Sequence, residues 1–205
     1  VRVLSVALTG NVAAGKTTVA GWWRAWGATV IEADTLVREV QAPGGPVLAR
    51  IQERFGDAVI RDDGTLDRAA LRRIVFADAQ ARAALNALVH PAVQDRRAAL
   101  LAAAAARGER MVVSDIPLLF EALDPAAFDV VVLVDAPEDV RRARLIRDRG
   151  LLPDEADRLL AAQLPSGPKR GRSHIVIDNA GSPEALRAAA AEAWQRLLDL
   201  AEPPA

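Results

Sequence analysis

The sequence predicts an α/β fold with a central parallel five-stranded sheet flanked by helices. Short, almost wholly apolar runs recur along the chain. Each ends in a turn or polar residue and is followed by residues spaced for a helix. The first run leads straight into Gly10-Asn11-Val12-Ala13-Ala14-Gly15-Lys16-Thr17 and then into a helical pattern. Runs of this kind suit parallel strands, because crossover helices cover both faces of such a sheet.

In chain order the strand runs are residues 3–8, 28–31, 111–114, 130–134 and 175–177. Helical spacing covers 17–26, 67–76, 79–107, 137–149 and 182 to about 200. Gly27 and Gly108 stop two of these helices, and Pro137 falls in a first turn, where its missing N–H has no partner to lose. Trp22 and Trp26, one turn apart, are expected to pack against the sheet or the insertion, with Trp23 pointing elsewhere. Residues 35–110 are too many for one crossover helix and predict a mainly helical insertion on the ligand-binding face. Pro165-Ser166-Gly167-Pro168 reads as a mobile loop, and the Glu202-Pro203-Pro204 tail is expected to fray.

Composition removes several function classes. At 205 residues the chain fits one domain, residues 1–205, with an insertion. Its 26 Lys and Arg balance 27 Asp and Glu, so no basic field points to nucleic acid. Without cysteine there are no disulfides or thiolate metal sites, and two histidines are too few for structural zinc. No run approaches the roughly 20 apolar residues of a membrane helix, and the N-terminus lacks a signal-peptide pattern. The expectation is a cytoplasmic protein with no membrane partner.

The segment from Gly10 to Thr17 has the spacing G-x-x-x-x-G-K-[ST]. Such a loop bends a row of backbone N–H groups around an anion at a helix N-terminus. Gly10 and Gly15 permit the tight backbone, Lys16 reaches the β- and γ-phosphates, and the Thr17 hydroxyl can ligate Mg²⁺. Asn11, Val12, Ala13, Ala14 and Thr18 complete the cradle. Asp34 follows the second apolar run, at the strand end where ligands bind in open parallel sheets. It could accept a proton from an attacking hydroxyl or simply cap the helix starting near Thr35. Asp115 ends the third run and reads either as a Walker B carboxylate for Mg²⁺ or as a turn residue. Arg141, Arg142, Arg144, Arg147 and Arg149 crowd one helix and its end, with Lys169, Arg170 and Arg172 beyond. They form either a solvated face or a lid that closes over phosphate.

Together these segments resemble the dephospho-CoA kinase family across nearly the whole chain. The likeness runs through ALTGNVAAGKTTV, VIEAD, APGGPVL, DGTLDRAALRRIVF, LNALVHP, DIPLLFE and VIDNAG, in that order. It implies a P-loop NTPase (kinase) fold, with a nucleotide-binding core at about 1–34 and 111–205. A helical substrate-binding part would span about 35–110, and a lid about 141–172. The donor would be ATP with Mg²⁺, and the acceptor the ribose 3′-hydroxyl of dephospho-CoA. Asp34 becomes the base, with Lys16 and Arg147 as further catalytic residues and Thr17 and Asp115 at the metal. Asn179, beside Ile177 and Asp178, would lie against the adenine. Arg68, His90 and Leu118, with Asp34, would bind the acceptor; Asp67 and Leu71 fall in the same part.

The sequence departs from the family pattern in three regions. Asn11 replaces the usual second glycine, and asparagine tolerates left-handed backbone well. Glu32-Ala33-Asp34 replaces Asp-Ala-Asp and keeps the last carboxylate. In the lid, Arg144-Leu145-Ile146-Arg147-Asp148 is one residue short of the usual spacing, and Ser173-His174 replaces Ala-Asp. Arg147 and Lys169 are the lid contacts the resemblance implies. The competing readings are a P-loop kinase for another nucleoside or nucleotide, a GTPase switch, and a non-catalytic nucleotide-binding protein. A GTPase would need an N-K-x-D element, which is absent, and a binding protein would not need Asp34. A monomer or weak homo-oligomer is expected.

Overall fold

In the structure, a computed structural model that describes residues 2–202, the first apolar run becomes β1 (Leu4–Gly10). It is followed by α1 (Lys16–Ala25), β2 (Thr29–Glu32), α2 (Ala33–Val40), α3 (Pro46–Phe55), α4 (Arg68–Ala77) and α5 (Ala79–Ala106). Then come β3 (Met111–Asp115), α6 (Leu119–Ala122), β4 (Val130–Asp135), α7 (Glu138–Arg149) and α8 (Pro153–Ala161). The chain ends with α9 (Ser166–Arg170), β5 (Ile175–Asp178) and α10 (Pro183–Leu200). Pro203 and Pro204 of the tail expected to fray lie outside the described residues.

The five strands form one sheet in the order β2-β3-β1-β4-β5. The pairings of β1 with β3 and β4, and of β4 with β5, are parallel, as the apolar runs predicted. Val6 pairs with Val113 on one side and Val130 on the other, which centres β1 and buries it from both faces. The chain divides into two compact units, one reaching Ile31 and resuming at Ala104, the other Glu32–Ala103.

In the first unit, Val6, Leu8, Val113, Val132, Val134 and Ile177 of the sheet pack with α1 and α10. The apolar stripe of α1 is Val19, Ala20 and Trp23, at helical spacing. Trp22 and Trp26 pack against this core as expected, but the expectation that Trp23 points elsewhere is corrected. Trp23 is fully buried and its Nε1–H donates to the Ala190 carbonyl at 3.0 Å, while Trp22 and Trp26 flank the core only partly buried. Trp194 lies across from Trp23 with ring centroids 6.0 Å apart. Trp23→Ala should destabilise the protein by about 3–5 kcal/mol, read as a lower denaturant midpoint at unchanged slope.

The second unit has its own core of Val47, Leu48, Ile51, Val59, Leu66, Leu71 and Val89. Asp67 starts α4 as its cap, accepting the N–H groups of Ala69 and Ala70. Those backbone bonds hold its carboxyl below the usual carboxylate range. α5 runs 28 residues through Pro91, so His90 does not end it.

Two local expectations change. β2 stops at Glu32 and α2 starts at Ala33, so Asp34 sits in the first turn of a helix and caps nothing. Residues 165–168 are not an open loop: Pro165 caps α9, and Pro168 falls in its first turn, where a missing N–H is harmless. Among the described residues, no helix is long and apolar enough to cross a membrane.

Candidate active site

The loop between β1 and α1 is closed to side chains at both glycines. A Cβ on Gly10 would lie 2.5 Å from the Val134 carbonyl oxygen, because β4 runs directly beside it. Gly15 has φ +98°, and a Cβ there would meet Asn179 Nδ2 at 2.3 Å. Ala13 takes the left-handed region without being glycine, at φ 60°. Such a backbone persists only where its surroundings hold it. α1 begins at Lys16 with no side-chain cap, so the Lys16 and Thr17 N–H groups remain available to an anion, while that of Thr18 reaches the Gly15 carbonyl at 3.1 Å.

Lys16 forms an ion pair with Asp115, each side chain about 13 % exposed. Strand register explains the meeting: Asp115 is the residue of β3 opposite Leu8 of β1. Thr17 and Thr18 are exposed at the start of α1. Asn179, just past β5, is buried and donates through Nδ2 to the Ala14 carbonyl at 2.8 Å. Arg144 of α7 donates to Asn179 Oδ1 at 3.1 Å and to the Ala13 carbonyl at 3.2 Å. Arg144 and Asn179 thus grip the loop from the β5 side.

The expected lid residues separate. Arg147 is exposed and pairs with its neighbour Asp148 at 2.6 Å, which raises the guanidinium pKa and lowers that of the carboxyl. Lys169 is buried instead, bonded to Asn11 Oδ1 at 2.5 Å and Glu121 Oε1 at 2.6 Å. Arg170 bridges Asp135 and Asp178, and its bond holds the Asp178 carboxyl below the usual range. A cavity of about 290 Å³ opens at the ends of β4 and β5, lined among others by Pro137, Arg141, Asp178 and Ala180. Leu118, just before α6, is exposed.

The remaining candidates belong to the second unit. Asp34 is exposed on α2. Arg68 opens α4 and donates to the buried Gln41 at 2.6 Å. Partial burial and then the charges of Arg38 and Arg61 lower its pKa, which marks a concentration of positive charge. His90 is half-buried in the middle of α5.

The family model for dephospho-CoA kinase matches residues 4–184, through both units. This chain belongs to the dephospho-CoA kinase family. A dephospho-CoA kinase of Anaeromyxobacter dehalogenans is 48 % identical over 195 residues, covering 95 % of this chain and 91 % of that one. Among solved structures, TT1252 from Thermus thermophilus superposes with TM-score 0.80 at 34 % identity, covering 96 % of this chain and 99 % of that one. The dephospho-CoA kinase from Campylobacter jejuni superposes with TM-score 0.72 at 21 % identity, covering 94 % and 96 %, a likeness of fold.

In this member of the dephospho-CoA kinase family, several residues around the loop were not singled out from sequence. Gln163 accepts the Val12 N–H at 2.8 Å, Ser166 donates to Asp135 at 2.7 Å, and Glu121 accepts the Leu164 N–H at 3.2 Å. Their partners lie tens of residues away, so no local pattern announces them. Arg144 stood in the arginine cluster, but only its meeting with Asn179 separates it from its neighbours.

Proposed function

We propose that this chain transfers the γ-phosphoryl group of ATP to the ribose 3′-hydroxyl of dephospho-CoA, giving coenzyme A. The observation that carries the reading is the family match, which extends over the phosphate loop and the helical unit alike. On this reading the backbone of Gly10 to Thr18 cradles the phosphates and Lys16 offsets charge on the group being transferred. The adenine lies against Asn179 and the neighbouring cavity, which is large enough for a purine.

Mg²⁺ belongs to this reading, and the donor set suits it. Among the described residues no cluster of three or more His, Cys, Asp or Glu could hold a metal alone. Mg²⁺ is usually bound through one or two carboxylates together with substrate phosphates. Asp115 and Thr17 would hold it, and when bound it supplies positive charge to the phosphate oxygens. Asp34 orients the 3′-hydroxyl and takes its proton as the new P–O bond forms and the bond to ADP breaks. Arg147 closes over the transferring group from the lid.

Residues 32–103, with Leu118, receive the acceptor. The charge around Arg68, Arg38 and Arg61 suits the pyrophosphate of dephospho-CoA, and His90 lies on the same unit. Arg68→Ala should raise KM for dephospho-CoA about tenfold, the loss of one charge-assisted bond, with KM for ATP unchanged. The reading includes a cytoplasmic enzyme acting as a monomer or weak homo-oligomer.

The test is ADP release coupled to a reporter, with dephospho-CoA beside adenosine, AMP and other nucleosides as acceptors. Stimulation by dephospho-CoA well above the others is expected. Preference for another acceptor would leave a P-loop kinase of different specificity.

A further inference from the structure

A buried polar group holds the first half of the phosphate loop, while Arg144 and Asn179 hold the second. Asn11 is 4 % exposed and Lys169 2 %. The Lys169 ammonium donates to Asn11 Oδ1 at 2.5 Å and to Glu121 Oε1 at 2.6 Å. Asn11 Nδ2 in turn donates to the Leu164 carbonyl at 3.3 Å and Ser166 Oγ at 3.4 Å. The Val12 N–H, next along the loop, is taken by Gln163. Two remote segments therefore meet on Asn11 and Val12, the approach to α9 and α9 itself, while Glu121 of α6 joins them through Lys169 and the Leu164 N–H.

The loop has reason to need this grip. Ala13 is held at positive φ, and the bonds that pin it come from both directions: Asn11 and Val12 before it, Arg144 on its own carbonyl, Asn179 on Ala14. A lysine reaching for phosphate would have to leave Glu121 uncompensated in a partly buried setting, where an unpaired charge is unfavourable. The Lys169 side chain is 2 % exposed and enclosed by these partners.

We infer that Lys169, with Glu121 as its counter-ion, is a positioning residue that acts through Asn11. It sets the shape of residues 11–13 so that the loop receives the triphosphate without rearrangement, and it does not touch the transferring phosphoryl group. This rests on the reading of the loop as the ATP site.

The experiment compares the unchanged chain with Lys169→Met, Glu121→Gln, the double variant and Asn11→Gly. Four readouts are taken: affinity for a non-hydrolysable ATP analogue, KM and kcat with each substrate, the thermal midpoint, and amide exchange of residues 11–14 without nucleotide. Lys169→Met is expected to weaken analogue binding about 10- to 100-fold, by analogy with the loss of a hydrogen-bond partner behind a metal ligand. KM for dephospho-CoA should hold, and exchange at 11–14 should quicken. The charge-neutral double variant should regain the thermal midpoint lost in Lys169→Met but not the affinity, and Asn11→Gly should weaken affinity in the same direction.

An unchanged affinity with a fall in kcat alone would mean that Lys169 meets the transferring group, and would overturn the inference. Recovery of affinity together with stability in the double variant would overturn it too, leaving only a structural ion pair. Should the unchanged chain bind no ATP analogue, the reading of the loop fails; the exchange comparison then still decides whether Lys169 shapes residues 11–13.

Discussion

Asp34→Asn should lower kcat by roughly 10²- to 10⁴-fold, the range of a single general base, while leaving ATP affinity close to normal. The substitution nearly preserves size and hydrogen-bonding reach but cannot hold a proton taken from a hydroxyl. Asp34 is exposed in the first turn of α2, neither capping the helix nor bearing core packing, so the exchange should leave the melting temperature nearly unchanged. A stability loss would therefore not confound the rate. Such a rate loss corresponds to about 3–5 kcal/mol of barrier. Steady-state ADP release and calorimetric ATP binding, measured side by side, check it; near-normal turnover would remove Asp34 from the chemistry.

Lys16→Ala should be comparably damaging and differently distributed. Loss of one preorganised charge at a developing anion lowers kcat by roughly 10²–10³, and here the same residue also helps bind the phosphates. Both kcat and ATP affinity should fall. Lys16→Arg should not rescue, because a broad planar guanidinium does not replace a compact ammonium. Removing Lys16 also leaves the Asp115 carboxylate, only 13 % exposed, without its partner. Adding Asp115→Asn to Lys16→Ala should accordingly recover melting temperature and no activity, a separation that a folding defect would not produce.

Much of the fold was legible because buried parallel strands write themselves as unbroken apolar runs. Residues 130–134 became β4 with one residue added, and 3–8 became β1 shifted to Leu4–Gly10. Punctuation carried through at Ser182, which caps α10, and to within one residue at Pro137, which precedes the first turn of α7 instead of lying in it. What escaped was decided by tertiary contact. Three tryptophans within five positions all offer apolar area, and it is contact with α10, through the Ala190 carbonyl, that marks out Trp23. The Pro-Ser-Gly-Pro stretch looked like a break by composition, yet Ser166 and Arg170 both find Asp135 and give α9 a reason to form.

The candidate site divides along the same line. The phosphate loop is a local motif, and its spacing, glycines and lysine could be read directly. Lys169 could not be placed from its own neighbourhood, since its counter-ion Glu121 is 48 residues away and Asn11 is 158 away. Asn11 read as a tolerable departure at a left-handed position; its buried side chain is instead a junction between the loop and α9.

The central claim is that phosphate moves from ATP to the ribose 3′-hydroxyl of dephospho-CoA. Mass spectrometry and phosphorus NMR of the product from ATP, Mg²⁺ and dephospho-CoA test it most directly. A new 3′-phosphate monoester, formed in step with ADP, is the predicted result. ADP released with no phosphate gained by the acceptor, or gained at any other hydroxyl, would contradict it.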